Sequence, residues 1–311
     1  MIVSCGEALI DFLPRSSLPD ELVFKAFPGG SPANVALAVA RLETPSGFFG
    51  GLSTDLFGDL IRRNFHDSGV DTSLANLSGR PTTLAFVSLE RGSARYAFVD
   101  EHSAGRMLSE IDLPKELPGE VTALHFGSFS LAQEPCGSTF ERLMEREHRR
   151  RVISLDINVR PTLIDDRQDY IARVKRMVGI SDIVKLSDED LAWLCPGVTF
   201  EELADSWLTL GAKLILMTKG ADGAVAISPV HHLKVPGVAV TLSDAIGAGD
   251  TFSAAVLARL YRIGALTKPA IAAISPRHLA DILDFAARAA AITVSRPGAD
   301  PPWLREIEAS Q

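Results

Sequence analysis

Asp244-Ala245-Ile246-Gly247-Ala248-Gly249-Asp250-Thr251-Phe252 is the stretch on which the reading of this chain turns. Two carboxylates flank a turn of small residues. Behind it Phe252, Val256 and Leu260 recur every four residues, the spacing of one helix face, and Gly264 stands where that helix would stop. The first amides of a helix have no partner within it and carry partial positive charge. Gly247 and Gly249 have no side chain to keep an anion from those amides, and Asp250 would stand at the mouth of the anion site. A phosphate cradle beside a carboxylate suits transfer of a phosphoryl group to a hydroxyl. An ordinary glycine turn capped by an acid fits the same letters, and the stretch alone does not choose between the two.

The 311 residues suffice for one large α/β domain or two smaller ones. With 46% hydrophobic and 23% charged residues, a packed core is expected and disorder is not. A net charge of −8 argues against nucleic acid or an anionic membrane as the main partner. Cys5, Cys136 and Cys195 are isolated, odd in number and form no CxxC pair, which points to reduced thiols and a cytoplasmic protein. The N-terminus reads as a first strand, not a signal peptide, and no apolar run approaches the ~18 residues of a membrane span.

Strands and helices alternate along the chain. Residues 2–12 read as one buried strand interrupted by Gly6-Glu7, with a polar end at Asp11. A helix follows Pro28-Gly29-Gly30-Ser31-Pro32-Ala33-Asn34, again behind a glycine-rich start. Residues 48–52 read as a short strand, and a further helix opens at Asp55. Residues 81–100 alternate in polarity around Glu90-Arg91-Gly92-Ser93 and read as a β-hairpin, a candidate lid. From residue 121 the βα rhythm is regular, with strands at 121–126, 152–157, 183–186 and 213–218. This pattern predicts a mostly parallel central sheet with helices on both faces, and ligands at the C-terminal strand ends. Asp11, Asn158, Arg160, Ser187 and Thr218 fall near such ends. His231-His232 lacks metal-ligand spacing and reads as loop. Neither GxxxxGK[ST] nor GxGxxG after the first strand is present, which argues against a P-loop enzyme and a dinucleotide oxidoreductase.

Two distant motifs carry a family resemblance. Gly29-Gly30-Ser31-Pro32-Ala33-Asn34-Val35-Ala36 looks like the N-terminal Gly-Gly…Asn-x-Ala motif of the ribokinase-like (PfkB) carbohydrate kinases, and residues 244–252 look like their C-terminal motif. Gly6-Glu7-Ala8-Leu9-Ile10-Asp11 and Asp156-Ile157-Asn158-Val159-Arg160 resemble the fructokinase branch. The resemblance spans essentially the whole chain. It implies a single ribokinase-like α/β domain over residues 1–311, with a small β lid formed by segments near 13–27 and 81–100.

The resemblance also implies roles. Asp250 would be the general base, and the amides of Gly247, Ala248 and Gly249 the anion hole for the moving phosphoryl group. Asp11, Gly29, Gly30, Asn34 and Arg160 would hold the sugar, with Arg95 and Phe98 reaching it from the lid. Lys185, Ser187, Thr218, Lys219, Gly220, Gly223 and Gly249 would form the ATP side, with Ala287 lining the adenine pocket. Mg²⁺ would bridge phosphates, largely through water. Asp244, Ile246, Thr293, Arg296 and Gly298 form a candidate K⁺ site, mainly through backbone carbonyls.

Three features depart from the family pattern. Its Asn-x-x-Glu motif stands here as Ser187-Asp188-Glu189-Asp190, and the shorter Asp190 leaves a water-mediated Mg²⁺ role open. Ala287 replaces a side chain that is often polar, and Pro302 replaces a common hydroxyl. The expected reaction is ATP-dependent phosphorylation of a sugar's primary hydroxyl, D-fructose first. Alternatives are 2-keto-3-deoxygluconate, ribose, another sugar or a nucleoside as acceptor, and a sugar-binding regulatory homologue without catalysis. The lid surface is also a candidate homodimer contact.

Overall fold

The computed structural model describes residues 1–15, 23–90 and 93–309; the side chains of residues 15, 88–90 and 93–96, Arg95 and Tyr96 among them, lie outside that description. In chain order come β1 (Ile2–Cys5), β2 (Leu9–Arg15), β3 (Val23–Gly29), α1 (Ser31–Arg41), β4 (Ser46–Phe49), β5 (Gly51–Ser53), α2 (Leu56–Ser68), β6 (Asn76–Ser78), β7 (Thr83–Glu90) and β8 (Ser93–Val99). There follow β9 (Ala123–Gly127), α3 (Cys136–Glu147), β10 (Val152–Asp156), α4 (Arg167–Gly179), β11 (Ile183–Ser187), α5 (Asp188–Leu194), α6 (Phe200–Leu210), β12 (Leu214–Thr218), β13 (Ala224–Ile227) and β14 (His232–Val235). The chain ends with α7 (Ala248–Arg262), α8 (Lys268–Ala272), α9 (Pro276–Val294) and α10 (Leu304–Ala309).

Eight strands form the central sheet in the order β14-β13-β12-β11-β10-β9-β1-β4. All neighbours pair in parallel except β12 with β13 and β13 with β14. The inner strands are buried throughout, as β9 and β10 show, because both faces are covered. One face packs Phe140 of α3, Val174 of α4 and Trp207 of α6. The other packs Val35 of α1, Val256 of α7 and Leu283 of α9. This is the expected ribokinase-like α/β architecture. Among the described residues no helix is long and apolar enough to cross a membrane.

A second sheet, ordered β3-β2-β7-β8, stands apart from the first. It corrects the reading of residues 2–12 as one strand. The chain bends at Gly6, whose φ of 151° lies in a region that L side chains rarely adopt, so β1 joins the central sheet and β2 the small one. Asp11 therefore lies on the small sheet, not at the end of a central strand. Residues 48–52 divide in the same way: β4 stays in the central sheet, while β5 pairs with β6. The hairpin over 81–100 forms as β7 and β8, in antiparallel register. The other strand pair of this sheet starts at Leu9, earlier than expected, and residues 16–22 of the first lid segment lie outside the described residues. His232 opens the edge strand β14 instead of lying in a loop.

Register decides what the small sheet presents. Phe27 is paired with Asp11, Asp11 with Ala85 and Ala85 with Phe98, so these four form one row on one face. The opposite face carries Phe12 and Phe86, stacked at 4.8 Å, with Phe57 of α2 edge-on to Phe12 at 5.6 Å. That aromatic cluster fixes which face turns toward α2 and which is left for Asp11.

Candidate active site

The glycine-rich start expected before Asp250 is a helix N-terminus. Gly247 caps α7 in the left-handed conformation, with φ 78°, and no side chain bonds the cap. Among the described residues no acceptor meets the amides of Gly249 or Asp250, while Ala248 makes only a long bond, 3.5 Å, to Ala245. Gly247, Ala248 and Gly249 are partly exposed and Asp250 is buried. The arrangement offers partial positive charge to an anion and holds a carboxylate beside it.

Asp250 is reached from the other motif. Ser31 Oγ donates to its Oδ1 at 2.6 Å, and Asn34 Nδ2 donates to its Oδ2 at 2.8 Å. Burial lifts the Asp250 pKa above the usual carboxylate range, while Ser31, Asn34 and the Lys185 ammonium pull it back. The two glycines ahead of Ser31 are needed for close approach. A Cβ on Gly30, whose φ is 97°, would stand 2.8 Å from the Glu7 carbonyl, and one on Gly29 would collide with the Asp11 carboxylate.

Asp11 is buried and its pKa is pushed up to about 7, first by desolvation and then by the neighbouring Asp250, with Arg160 acting against both. Arg160 also donates to Asn158 Oδ1 at 2.7 Å, and Asn158 Nδ2 donates to Ser31 Oγ at 2.9 Å. Phe98 packs against Phe129 at 5.2 Å and is half-buried. Asp11, Gly29, Gly30, Asn34 and Arg160 are thus gathered around Asp250, with Phe98 in the row of Asp11; the Arg95 side chain lies outside the described residues.

On the other side of the α7 N-terminus, Lys185 is buried. Its Nζ bonds Asp156 Oδ2 at 2.9 Å, and Ser253 Oγ bonds the same oxygen at 2.9 Å. Burial opposes the charge on Lys185, yet Asp156 and Asp190 hold its pKa above the usual lysine value. A Cβ on Gly249 would lie 2.8 Å from Nζ, so the ammonium sits directly behind the helix start. Nearby, His125 bonds Ser154 through Nδ1 at 3.0 Å, and burial pushes its pKa down to about 3.

Ser187 and Asp190 form a reciprocal cap on α5. Asp190 Oδ2 accepts the Ser187 amide and Oδ1 the Val159 amide, both at 2.7 Å, so the short acid ties α5 to the segment after β10. Thr218 ends β12, and Lys219 and Gly220 follow in a turn closed by Lys219 N to Gly223 O at 2.8 Å. Gly223 has φ 92°, and a Cβ there would collide with the Val235 carbonyl. Ala287 is half-buried on α9, which packs on the same sheet face as α7.

Asp244 staples the loop before α7 to the turn after α9. Its Oδ1 accepts the Ile246 amide at 3.0 Å and its Oδ2 the Gly298 amide at 2.9 Å. Thr293 turns its hydroxyl to Thr251 at 2.9 Å, and Arg296 pairs with Glu306. Gly298 also abuts the Phe27 ring: a Cβ on Gly298 would lie 3.3 Å from it, which joins this turn to the small sheet.

Sequence reasoning missed Ser31, Glu7, Asp156 and Ser253. Glu7 accepts the Ser31 amide at 3.3 Å, and burial pushes its pKa up to about 7. Ser31, Glu7 and Asp156 all lie inside stretches that drew attention, but their partners are distant in the chain and no local signal names them. A separate surface hollow of about 350 Å³, lined by Glu134, Asp166, Asp169, Arg173 and Arg176 among others, shares no residue with this site.

A helix start open to an anion, a buried carboxylate and a set of sugar-suited polar groups thus meet in one place. The model of the "pfkB family carbohydrate kinase" matches residues 1–306. The chain belongs to the PfkB family of carbohydrate kinases. Among its PfkB relatives, a fructokinase of Rhizobium leguminosarum bv. trifolii is 46% identical over 279 residues, covering 90% of this chain and 85% of the relative. The fructokinase of Xylella fastidiosa, solved with bound ATP, superposes with a TM-score of 0.91 at 29% identity, over 99% of this chain and 97% of that one. A double-mutant fructokinase of Vibrio cholerae O395, solved with fructose, ADP and a potassium ion, gives 0.86 at 29% identity, over 99% and 97%.

Proposed function

We propose that this PfkB kinase transfers the γ-phosphoryl group of ATP to the primary hydroxyl of D-fructose. The observation that carries the reading is the meeting of the two motifs at Asp250, whose carboxylate oxygens are held by Ser31 and Asn34. The fructokinases among its relatives support fructose as the acceptor. Asp250 takes the hydroxyl proton as the oxygen attacks the γ-phosphorus and ADP leaves; positioning matters more than basicity in such a transfer. The amides at the α7 start, Gly247 through Gly249, bear the charge of the moving group, with Lys185 behind them. Asp11 and Asn34 hold sugar hydroxyls, Gly29 and Gly30 let the sugar come close, and Arg160 adds positive charge beside Asp11.

The nucleotide side is Thr218, Lys219, Gly220 and Gly223, with Ser187 at the start of α5 and Ala287 toward the base. Asp190, whose two oxygens keep lone pairs beside the Ser187 and Val159 amides, is the candidate to hold Mg²⁺ through water, and the ion would supply charge neutralisation for the phosphates. The stapled neighbourhood of Asp244, Ile246, Thr293, Arg296 and Gly298 suits a K⁺ ion held by carbonyls, and the potassium in the Vibrio cholerae relative supports it. The small sheet acts as a lid that excludes water, a competing acceptor. Its outer strands β3 and β8 have no further strand beside them among the described residues, which supports pairing with a second copy. Free thiols at Cys5, Cys136 and Cys195 support a cytoplasmic setting.

The test is ADP release, measured by coupled assay with ATP and Mg²⁺ over fructose, 2-keto-3-deoxygluconate, ribose and a nucleoside, with and without K⁺. Fructose is expected to give the highest kcat/KM. A higher value for another acceptor would reassign the substrate, and sugar binding without any ADP release would make the protein a regulator.

A further inference from the structure

The hydroxyl of Ser31 does not serve its own helix. A serine in the first turn commonly bonds a nearby backbone amide. Here Gly30 is the cap of α1, with no side-chain bond, and Ser31 Oγ reaches across 219 residues of sequence to Asp250. The bonds around it have one direction. Arg160 Nη1 donates to Asn158 Oδ1 at 2.7 Å, Asn158 Nδ2 donates to Ser31 Oγ at 2.9 Å, and Ser31 Oγ donates to Asp250 Oδ1 at 2.6 Å. A cation stands at one end of the chain and a carboxylate at the other. Such aligned bonds polarise one another in a low-dielectric site. Asn158 holds φ 42°, a left-handed conformation uncommon for a residue with a side chain, and both polar atoms of its amide are engaged in the relay.

We propose that Ser31 is a positioning residue of phosphoryl transfer: the relay from Arg160 through Asn158 and Ser31 fixes the orientation and the charge of the Asp250 carboxylate. Ser31 and Asn34 hold one oxygen each, so the carboxylate plane is set from α1. Ser31 itself is held from behind, where Glu7 accepts its amide at 3.3 Å. The charged groups that act on Asp250 are Asp156 of β10, Lys185 of β11 and Asp11 of β2. Burial raises the Asp250 pKa, and the Ser31 bond is the first of the contributions that lower it. Losing that bond leaves the base protonated to higher pH. The inference rests on the reading of Asp250 as base.

The experiment is the pH dependence of kcat at saturating fructose and ATP for the wild type, Ser31→Ala, Ser31→Thr, Asn158→Ala and Asp250→Asn, with melting temperatures alongside. Saturating fructose separates Asp250 from Asp11, since kcat reports the enzyme–substrate complex, in which the sugar hydroxyls bonded to Asp11 hold it ionised. Ser31→Ala is expected to move the acidic limb up by about one pH unit, with kcat on that limb about tenfold lower. Ser31→Thr, which keeps the hydroxyl, restores the limb. Asn158→Ala moves it the same way by less, and serves as the test should Ser31→Ala not fold. An unmoved limb in Ser31→Ala, or in Asn158→Ala where that is the variant that folds, overturns the proposal, even with lower turnover. Ser31→Thr matching Ser31→Ala overturns it as well. Asp250→Asn separates the two readings: if it is inactive while Ser31→Ala keeps the wild-type limb, only the relay fails; if it turns over normally, the base assignment fails.

Discussion

Asp156 and Asp11 are both buried carboxylates facing Asp250, and the protein treats them differently. Asp156 is fully buried under the start of α7 and is answered by Lys185 and Ser253. Asp11 lies on the small sheet, where burial and the neighbouring Asp250 push its pKa up to about 7, with Arg160 opposing them. A charge paired in this way belongs to the scaffold, since the partner offsets the desolvation. A carboxylate left with acceptor capacity is suited to a ligand rich in hydroxyls. The half of the site around Asp156 is thus paired in advance, and the half around Asp11 keeps acceptor capacity for a ligand.

The largest effect should come from breaking the paired half. Lys185→Met leaves Asp156 uncompensated and is expected to destabilise the fold by about 3–5 kcal/mol, read by denaturant unfolding. The double variant Lys185→Met with Asp156→Leu should recover much of that stability while activity stays low. A single variant as stable as the wild type would erase the distinction between the two carboxylates.

Asp11→Asn should lower kcat/KM for fructose about 10²-fold, an effect of about 3 kcal/mol that falls mainly on KM. The same variant should melt higher than the wild type at pH 8. The folded-state pKa of Asp11 is raised from 3.8 to about 7, so the folded protein binds the extra proton and wild-type stability falls as pH rises between those values. The gain in Asp11→Asn therefore shrinks as pH falls toward 4. A variant that loses stability at pH 8 would place Asp11 in the scaffold with Asp156.

In the wild type, KM for fructose should rise as pH falls below about 7, as Asp11 gains its proton and loses acceptor capacity. The profile for Asp11→Asn should lack that rise. The smallest effect is expected at Ser187→Ala, which removes one bond of the α5 cap and costs about 1 kcal/mol, read by thermal melting.

The helix after Asp250 was legible because its apolar residues repeat every four positions and glycines mark its start. The alternation of strands and helices gave the central sheet for the same local reason. The division of residues 2–12 between two sheets was not legible, since apolar residues run on through both strands and only the bend at Gly6 parts them. Asp11 was picked out as a sugar ligand by resemblance, but its place on the small sheet follows from pairing with Phe27 and Ala85. Asp190 stood out as a shortened acid, and the cap it makes with Ser187 and Val159 shows what that length fits.

The sequence by itself determined the chemical groups and the local shapes that carry them: two glycine-rich helix starts, a hairpin, and carboxylates near each. Those depend on backbone sterics and hydrophobic period, which act within a few residues. Only the tertiary structure decided which groups meet. It brought Ser31 and Asn34 onto Asp250, set Lys185 against Asp156, and turned the row of Asp11 and Phe98 away from the aromatic cluster. Those meetings depend on strand order and register, fixed by burial of the whole sheet and invisible in any one stretch.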